Sequence, residues 1–386
     1  GENYQAIRAG RSALTPYTSW RGIPEPFAAS MFTIEQREKL KMDGFTLFES
    51  IVIRSIEEAL SYTSIPLDSP RTIFILSTTK ANVEELSSEP ENDGEYLNPG
   101  DTAAKIARHI GIVTRPVVVC NACISGVTAQ ILADRLIRQG EYDHAIVCGA
   151  DCISPFVVAG FLSFKSLSPE PCRPFDIERL GLNLGDAAAT IIYGKEPEGD
   201  SGKGCKFVAG YLDNDAYHVS APSPAGEGTL RAIECVMERW DAKRLAMINV
   251  HGTATMFNDQ MESKAIQRAS LSQIPISALK GYYGHTLGAS GILETIISMC
   301  SLDEGYIPPV KGFDEIGVSG KITISNHEGK SDKESFLKII SGFGGCNGAI
   351  LFSKGEEIVP PTVSNSRGNI SHSVRITPEM VTIDGK

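Results

Sequence analysis

One cysteine of the chain stands where an α/β protein places a reactive side chain. Cys123 follows an apolar β-branched run, Val117–Val119, and precedes apolar residues at helical spacing that begin at Val127. The sequence therefore predicts a strand, a tight turn and a helix, with Cys123 where the helix begins. Unpaired backbone N–H groups and the positive end of the helix dipole stabilise a thiolate at such a position, and the thiolate is the nucleophilic form. A buried structural cysteine is the alternative reading of this stretch.

Two histidines occupy glycine-containing loops after predicted strands. His251 begins the run His-Gly-Thr-Ala-Thr, and His285 lies in the glycine-rich segment 280–291. Both positions are strand-to-helix transitions, where α/β folds place their sites. A single histidine there is usually structural, but two of them together with a helix-start cysteine favour a Cys-His-His site.

A third glycine-rich segment, residues 342–348, reads Gly-Phe-Gly-Gly-Cys-Asn-Gly. Glycine costs backbone entropy on folding, so the segment predicts close approach to a ligand or tight packing. It lacks the Lys and Ser/Thr of a phosphate loop, and the chain contains no dinucleotide-binding fingerprint. Cys120 and Cys123 form a C-x-x-C pair without two further ligands at suitable spacing, so we expect neither a metal nor a cofactor.

Composition narrows the class of partner. The 386 residues are 42% hydrophobic with a net charge of −11, which argues against a nucleic-acid or anionic-membrane surface. No apolar run is long enough to cross a membrane, and no signal-peptide pattern is found. Nine scattered cysteines in a chain of this size indicate a reduced, cytoplasmic setting. Small molecules or proteins are therefore the expected partners.

Strand patterns alternate with helical patterns, which predicts a largely parallel sheet covered by helices on both faces. The predicted helices are a long one from residue 33 through residue 60, and others at 127–138, 230–240, from 261 and at 292–300. The predicted strands are 71–79, 117–119, 144–151, 185–195, 206–212, 246–251 and 348–353. Residues 84–101 are predicted to form an acidic surface loop, and residues 152–176 an irregular stretch.

The chain contains a weak internal sequence repeat. Residues 185–195 and 344–354 share glycine, two apolar residues, an aromatic residue and lysine at equal spacing, which suggests two halves of one fold. The charged, glycine-rich residues 196–203 predict the seam. We expect a nucleophile-bearing half at 1–200, a histidine-bearing half at 201–355 and an extension at 356–386, within which 372–377 has the pattern of an added edge strand.

Six motifs in order together resemble the elongating 3-oxoacyl-[acyl-carrier-protein] synthases (beta-ketoacyl synthases) of the thiolase-like superfamily. They are Cys123-Ile-Ser-Gly, Arg173-Pro-Phe-Asp, Asp215-Ala-Tyr-His218, His251-Gly-Thr-Ala-Thr, Lys280 with Gly284-His285, and the 342–348 segment. The resemblance runs from about residue 2 to residue 354. It implies a five-layer αβαβα fold made of two similar halves, usually a homodimer. The strand with which the family normally opens is absent, so we expect a start that is shortened or divergent.

The resemblance also implies roles for the reactive residues. Cys123 matches the nucleophile that accepts an acyl chain as a thioester, and His251 and His285 match the pair that drives decarboxylation of malonyl-acyl carrier protein. Lys280 and Glu294 match a supporting charged pair. Phe343 matches the ring that gates the acyl pocket. The backbone N–H groups of Phe343 and Cys123 match the oxyanion hole.

The remaining expectations concern the substrate's path. Thr253 and Thr255 match hydroxyls that hold the pantetheine arm, whereas His218 is expected to be structural. The acidic acyl carrier protein is the expected partner, docking on the basic residues Arg37, Lys39, Lys41 and Arg173. The acidic 84–101 insert stands where relatives carry dimer or substrate-entry surface, so the preferred acyl length is left open.

Two alternatives remain at this stage. A non-catalytic subunit that sets chain length for an active synthase would typically lack the nucleophile that Cys123 supplies. A thiolase would use a second cysteine in a C-terminal glycine loop, where Cys346 stands. The pathway, fatty acid or related polyene or polyketide synthesis, is not specified by the sequence.

Overall fold

The computed structural model describes residues 1–86, 97–195, 204–355 and the strand 374–379. The helices are α1 (Glu2–Arg8), α2 (Ile34–Leu40), α3 (Leu47–Ser61), α4 (Pro99–Ile110), α5 (Ser125–Arg138), α6 (Pro155–Ser163), α7 (Glu227–Met237), α8 (Met256–Arg268), α9 (Lys280–Tyr283) and α10 (Ser290–Asp303). The first strands are β1 (Thr15–Tyr17), β2 (Phe27–Ser30), β3 (Thr72–Ser77), β4 (Val117–Val119), β5 (His144–Asp151), β6 (Leu184–Gly185), β7 (Ala187–Lys195) and β8 (Lys206–Asn214). The later strands are β9 (Leu245–Asn249), β10 (Pro275–Ser277), β11 (Tyr306–Ile307), β12 (Thr323–Ile324), β13 (Gly329–Lys330), β14 (Ser335–Gly342), β15 (Cys346–Ser353) and β16 (Val374–Glu379).

The main sheet contains two strand sets with matching topology. In the first, β5 pairs in parallel with β3 and antiparallel with β7. In the second, β14 pairs in parallel with β9 and antiparallel with β15. The two repeated segments lie on β7 and β15, which therefore occupy equivalent positions in the two strand sets.

Apolar faces explain how these strands are covered. The strands are buried on both faces, so each set needs helices on two sides. Helix α3 packs outside the first set, α7 outside the second, and α5 and α10 lie between them. Three apolar clusters fill the gaps between these layers. The result is the expected five-layer αβαβα arrangement of two similar halves.

The two central helices meet through glycine. A Cβ on Gly126 would lie 3.0 Å from the backbone nitrogen of Ile292, and one on Gly291 would lie 2.6 Å from the backbone nitrogen of Val127. Only a residue without a side chain permits this approach. Helix α5, which follows the cysteine, is therefore held directly against α10, which follows His285.

The long helix predicted from residue 33 is wrong, because the chain forms two helices there. Thr33 and Thr46 each close a capping box, so α3 has its own N-terminal signal. The first helix ends at Leu40, because Lys41 is extended, and Gly44 adopts φ +77° in the turn before α3. Helix α8 also begins earlier than predicted, at Met256 rather than Met261.

Several elements were not predicted, among them two helices and one long strand near the site. Helix α4 follows the Asn98 cap with proline at its start and ends before Gly111 in the left-handed region. It falls at the end of the predicted acidic loop, so that loop is shorter than expected. Helix α6 follows the Ser154 cap within the stretch predicted to be irregular. Strand β14 was missed altogether.

The C-terminal strand joins the sheet. Strand β16 pairs antiparallel with β7 along its length, and Arg375 also pairs with Lys206 of β8. The extension therefore forms a strand, as predicted, but the expected edge position is wrong, because β16 lies between β7 and β8 and joins the two strand sets. The predicted seam at 196–203, residues 87–96 of the acidic insert and the rest of the extension lie outside the described residues. Within the described residues no helix has the length and apolar character that a membrane span requires.

Candidate active site

A cavity of about 410 Å³ contains the predicted reactive residues. Cys123, His251 and His285 line it together with Phe343, and Thr253 and Thr255 lie along the same wall. One ligand-type atom from each of Cys123, His251 and His285 lies within 4.8 Å of the others. The structure thus brings a sulfur from one half and two imidazoles from the other into one site.

Cys123 is held in a strained turn. Ala122 before it adopts φ +45°, a left-handed conformation that a residue with a side chain rarely takes. Ser125 closes the turn by accepting from the Asn121 N–H at 2.8 Å and donating to the Ala122 carbonyl at 2.6 Å. The strain is held at the residue before the nucleophile, where it directs the thiol into the cavity.

The predicted resting thiolate is not supported. The helix begins at Ser125, two residues after the cysteine, and Cys123 is only 6% exposed. Burial raises the pKa of the Cys123 thiol to about 11, although Lys80, Lys280 and the Phe343 N–H favour the thiolate. The thiol is therefore neutral at rest, and attack on a substrate requires transfer of its proton.

His285 is clamped by backbone on both sides. Its N–H donates to the Asn183 carbonyl at 2.7 Å, and its carbonyl accepts from the Gly185 N–H at 3.0 Å. The ring Nδ1 accepts from the Leu287 N–H at 3.2 Å and lies 2.8 Å from the Ser290 hydroxyl. Because a backbone N–H can only donate, Nδ1 carries no proton and Nε2 does. That buried Nε2–H has no partner among the described residues, which leaves it ready to donate to a substrate.

His251 is positioned through a buried carboxylate. Glu262 on α8 accepts from the His251 N–H at 2.7 Å and from the Gly252 N–H at 2.8 Å. The His251 ring meets the His285 ring edge-on, with centroids 5.0 Å apart. Nδ1 of His251 is buried and also lacks a partner among the described residues. Both rings line the cavity, so a bound substrate can supply the missing hydrogen-bond partners.

Both imidazoles are neutral at physiological pH. Burial, followed by the charges of Lys280 and of nearby groups that include Lys338, lowers the pKa of His251 well below its ordinary value. Burial, Lys280 and Lys338 do the same for His285. Two neutral N–H donors can stabilise a developing oxyanion without carrying a charge themselves.

The predicted Lys280–Glu294 pair is formed and buried. Lys280 Nζ lies 2.6 Å from Glu294 Oε1 and also donates to the His251 carbonyl at 2.6 Å. A second lysine that the sequence did not single out, Lys338, reaches the other carboxylate oxygen at 2.5 Å. A lysine in an otherwise apolar strand pattern is the signal that could have found it.

Phe343 lies over the cysteine, and an exposed ring covers it. Its N–H bonds to the Cys123 sulfur, and a Cβ on Gly342 would lie 3.2 Å from the Cys123 nitrogen, so the two N–H groups lie close together. Phe161 in α6 and Phe164, which immediately follows α6, contact the Phe343 ring, with centroid distances of 5.6 Å and 5.1 Å. Thr253 and Thr255 share a hydrogen bond of 3.0 Å on the cavity wall.

The predicted docking residues divide into two groups. Arg37 is paired with Glu84 and with Asp186, and its side chain is 15% exposed. Arg37 is therefore withdrawn as a docking residue, since its charge is already matched by two carboxylates. Lys39 and Lys41 are exposed, and Arg173 is half-buried beside Glu178.

Two further residues line the cavity that the sequence did not place there. Lys165, an exposed lysine after α6, lines the cavity, which none of the predicted docking residues does. His218 also lines it, and its Nδ1 accepts from the N–H groups of Ser220 and Ala221. Neither contact could be read from sequence, because both depend on loops folding over the opening.

The other candidate cysteines lie apart from the reactive cluster. Cys346 on β15 accepts from Asn214 at 3.4 Å and is not among the residues that line the cavity. A Cys-His-His set also has metal-ligand chemistry, but a structural zinc site needs four protein ligands, and among the described residues only these three come together here. The geometry favours acyl-transfer chemistry at a neutral thiol.

A two-half, five-layer fold with a Cys-His-His site defines the thiolase-like class. The chain matches the family model of the beta-ketoacyl synthase N-terminal domain over residues 2–196 and that of the C-terminal domain over residues 206–314. The chain therefore belongs to the beta-ketoacyl synthase family, as the motifs predicted.

Individual relatives agree. The 3-oxoacyl-[acyl-carrier-protein] synthase 2 of Rhizobium meliloti is 34% identical over 254 residues, 61% of this chain and 60% of that protein, so the match spans three fifths of the relative's length. The 3-oxoacyl-[acyl-carrier-protein] synthase 2 of Vibrio cholerae is 32% identical over 294 residues, 70% of each chain. A beta-ketoacyl synthase structure from Burkholderia phymatum shares the fold, with a TM-score of 0.80 and 24% identity over 91% of this chain and 94% of that one.

Proposed function

We propose that the protein is a beta-ketoacyl synthase that condenses an acyl thioester on Cys123 with malonyl-acyl carrier protein, releasing CO₂. The observation that carries the proposal is the meeting of the Cys123 sulfur and the two neutral imidazoles within 4.8 Å in one buried cavity. Family membership supports the reaction class, an acyl transfer. The pathway, fatty acid or polyketide synthesis, belongs to the same proposal.

Acyl transfer is the first half-reaction. Cys123 attacks the carrier-bound thioester carbonyl, and its proton passes to the departing pantetheine thiol. The N–H groups of Cys123 and Phe343 stabilise the tetrahedral oxyanion, a contribution typically worth about 10²–10³ in rate for one donor. Thr253 and Thr255, on the wall of the cavity, hold the pantetheine arm by hydrogen bonds.

Decarboxylation and condensation follow. His285 donates from Nε2, and His251 from its ring, to the malonyl thioester oxygen. As CO₂ leaves, these donors stabilise the enolate, whose carbon attacks the acyl group on Cys123. The buried setting strengthens both hydrogen bonds because water is excluded.

The partner is an acyl carrier protein bearing phosphopantetheine, and the protein works as a homodimer. Carrier proteins of this family are acidic, so docking on a chain of net charge −11 requires local positive charge. Lys39, Lys41 and Arg173 remain in the proposed docking surface. Lys165, at the cavity itself, is added to it.

Mass spectrometry after incubation with acyl-carrier protein tests the proposal. We expect one acyl adduct on Cys123, lost in Cys123→Ala and retained in Cys346→Ala. A His285→Ala variant should accept the acyl chain and fail to condense. Absence of an adduct on Cys123 would instead indicate a non-catalytic chain-length subunit, and an adduct on Cys346 a thiolase.

A further inference from the structure

A second buried lysine stands behind the histidine pair. Lys338 lies on β14, where its side chain is fully buried, and its Nζ lies 2.5 Å from Glu294 Oε2. Lys280 binds the other oxygen of the same carboxylate at 2.6 Å. Glu294 is thus bracketed by two ammonium groups, although one would neutralise it.

The contacts of Lys338 define its charge state. Its Nζ donates to Glu294, to the Ile339 carbonyl at 2.9 Å and to the Val250 carbonyl at 3.3 Å. Three acceptors require three N–H donors, and only the ammonium form has three. Burial lowers the pKa of Lys338 to about 8 against the pull of Glu294, so the group is still charged at pH 7. The two lysines and one glutamate therefore carry one net positive charge.

This charge lies next to the catalytic backbone. Val250, which accepts from Lys338, immediately precedes His251, and the His251 carbonyl accepts from Lys280. A buried ion costs several kcal/mol unless it is paired, and Glu294 is shared between two. The excess positive charge therefore costs folding free energy that packing alone would not require. It acts on the two imidazoles.

The charged and titratable groups that face the histidines come from several elements. They are Lys280 on α9, Lys338 on β14, Glu294 on α10, Glu262 on α8 and Lys80 after β3. Burial raises the pKa of Glu262 to about 7, and it is held by two backbone N–H groups and Asn258. Removal of Lys338 would leave Lys280 paired with Glu294, so this cluster would lose its excess positive charge.

We propose that Lys338 is a positioning residue that keeps His251 and His285 unprotonated, so that decarboxylation stays coupled to condensation. The inference rests on the proposed function. Its basis is the bracketed Glu294 and the short route from Lys338 through Val250 to His251.

The chemistry gives this role a measurable product. When the malonyl carboxylate leaves as CO₂, its bonding electron pair passes into the enolate. A neutral imidazole N–H is a far weaker acid than an imidazolium, so it holds the enolate oxygen by a hydrogen bond while the enolate carbon attacks the acyl thioester and expels the Cys123 thiolate. An imidazolium would instead give its proton to the enolate carbon. The product would be acetyl-carrier protein, and the acyl chain would remain on Cys123.

The experiment compares Lys338→Met with the wild type and measures acetyl-carrier protein and 3-oxoacyl-carrier protein by mass spectrometry from pH 6 to pH 8. We expect a higher acetyl to 3-oxoacyl ratio in the variant, increasing toward low pH. Each unit by which the histidine pKa rises makes imidazolium about tenfold more abundant above that pKa. Lys338→Arg, which keeps the charge, should return the ratio toward that of the wild type.

Controls separate this role from a structural one. Lys243→Met removes an exposed lysine and should leave the ratio unchanged. A Lys338→Met enzyme that makes both products more slowly in an unchanged ratio would show that Lys338 only supports the fold. Failure of the wild type to condense would reject the proposed function instead.

A measurement on the intact wild-type enzyme covers the case in which Lys338→Met does not fold. Histidine-labelled protein examined by NMR should show both rings neutral at pH 6. Protonation of either ring at that pH would overturn the inference without any variant.

Discussion

At the scale of single residues, Cys123 and the two histidines beside it are all neutral. Cys123 is a protonated thiol, because burial raises its pKa to about 11, and His251 and His285 are uncharged for the same physical reason. Burial thus disfavours every charged form at the reacting atoms, while Lys280, Glu294 and Lys338 carry charge just behind them. Such an arrangement favours proton transfer during the reaction over a preformed ion pair.

Substitution of Phe164 tests the proposed role of the Phe343 ring as the gate of the acyl pocket. The Phe164 ring is 47% exposed, yet it contacts Phe343 edge-on. Such pairs contribute about 0.5–1.5 kcal/mol, so Phe164→Ala should change the rate of Cys123 acylation about two- to tenfold and reduce discrimination between short and long acyl chains. Quenched mass spectrometry with carriers of two chain lengths measures both effects.

Phe156→Ala is the matched control, because Phe156, at the start of α6, is another exposed phenylalanine and does not line the cavity. Equal effects of the two substitutions would show that Phe164 does not restrain the gate.

At the scale of elements, the close contact between α5 and α10 sets the geometry of the site. We expect Gly291→Ala to destabilise the fold by about 1–3 kcal/mol, the usual cost of overpacking, because its Cβ would lie 2.6 Å from the Val127 nitrogen. Condensation should fall more than the loss of stability explains, since the His285 loop moves with α10. Chemical denaturation and condensation rates measure the two effects.

Gly160→Ala provides the comparison within a helix. A Cβ at Gly160 in α6 would meet nothing within 4 Å. The substitution should therefore be neutral or stabilise by up to about 1 kcal/mol, as expected for glycine in a helix interior. A destabilisation equal to that of Gly291→Ala would contradict the packing argument.

Sequence patterns recovered the elements that carry the reactive residues and missed others for identifiable reasons. The strand before Cys123 and the loops of His251 and His285 have clear apolar and glycine signals. Helix α4 is only weakly apolar but has the Asn98 cap and Gly111 stop, which were not weighed. Strand β14 has apolar residues on both sides of Lys338, but the partner of that lysine, Glu294, is 44 residues away. No local pattern reveals a partner at that separation.

At the scale of the whole molecule, net charge and burial both make the protein sensitive to conditions. The chain carries −11 in total, so any approach of an acidic partner depends on local positive charge at the entrance. Sequence composition predicted this conflict. It could not show that Arg37 is already paired with Glu84 and Asp186, or that Lys165 lines the cavity.

Charge reversal at Lys165 tests docking. Lys165→Glu should raise KM for carrier-bound substrate, and the increase should shrink at high salt because surface charges are screened. Small acyl thioesters should be used as before. Lys243→Glu, a reversal at another exposed lysine, should leave both KM values unchanged, and a similar rise there would indicate a non-specific field effect.

Acid stability follows from the histidine pair. The pKa values of His251 and His285 lie below their unfolded value of about 6.5. The unfolded chain therefore binds more protons below pH 6.5, and stability falls with decreasing pH by up to about 1.4 kcal/mol per unit for each ring. Urea denaturation between pH 5 and pH 7 should show a shallower decline in the His251→Gln/His285→Gln double variant. An identical slope would contradict the neutral assignment.

The direct backbone contact between α5 and α10 at Gly126 and Gly291 also limits which members of the family can be combined into hybrid proteins. A hybrid assembled from the front of one relative and the back of another pairs two central helices that come from different parents. If either parent has a side chain at its side of this crossing, the helices cannot close to the distance that aligns sulfur and imidazole. Success of such hybrids should therefore follow the residue at these two positions more closely than overall sequence identity.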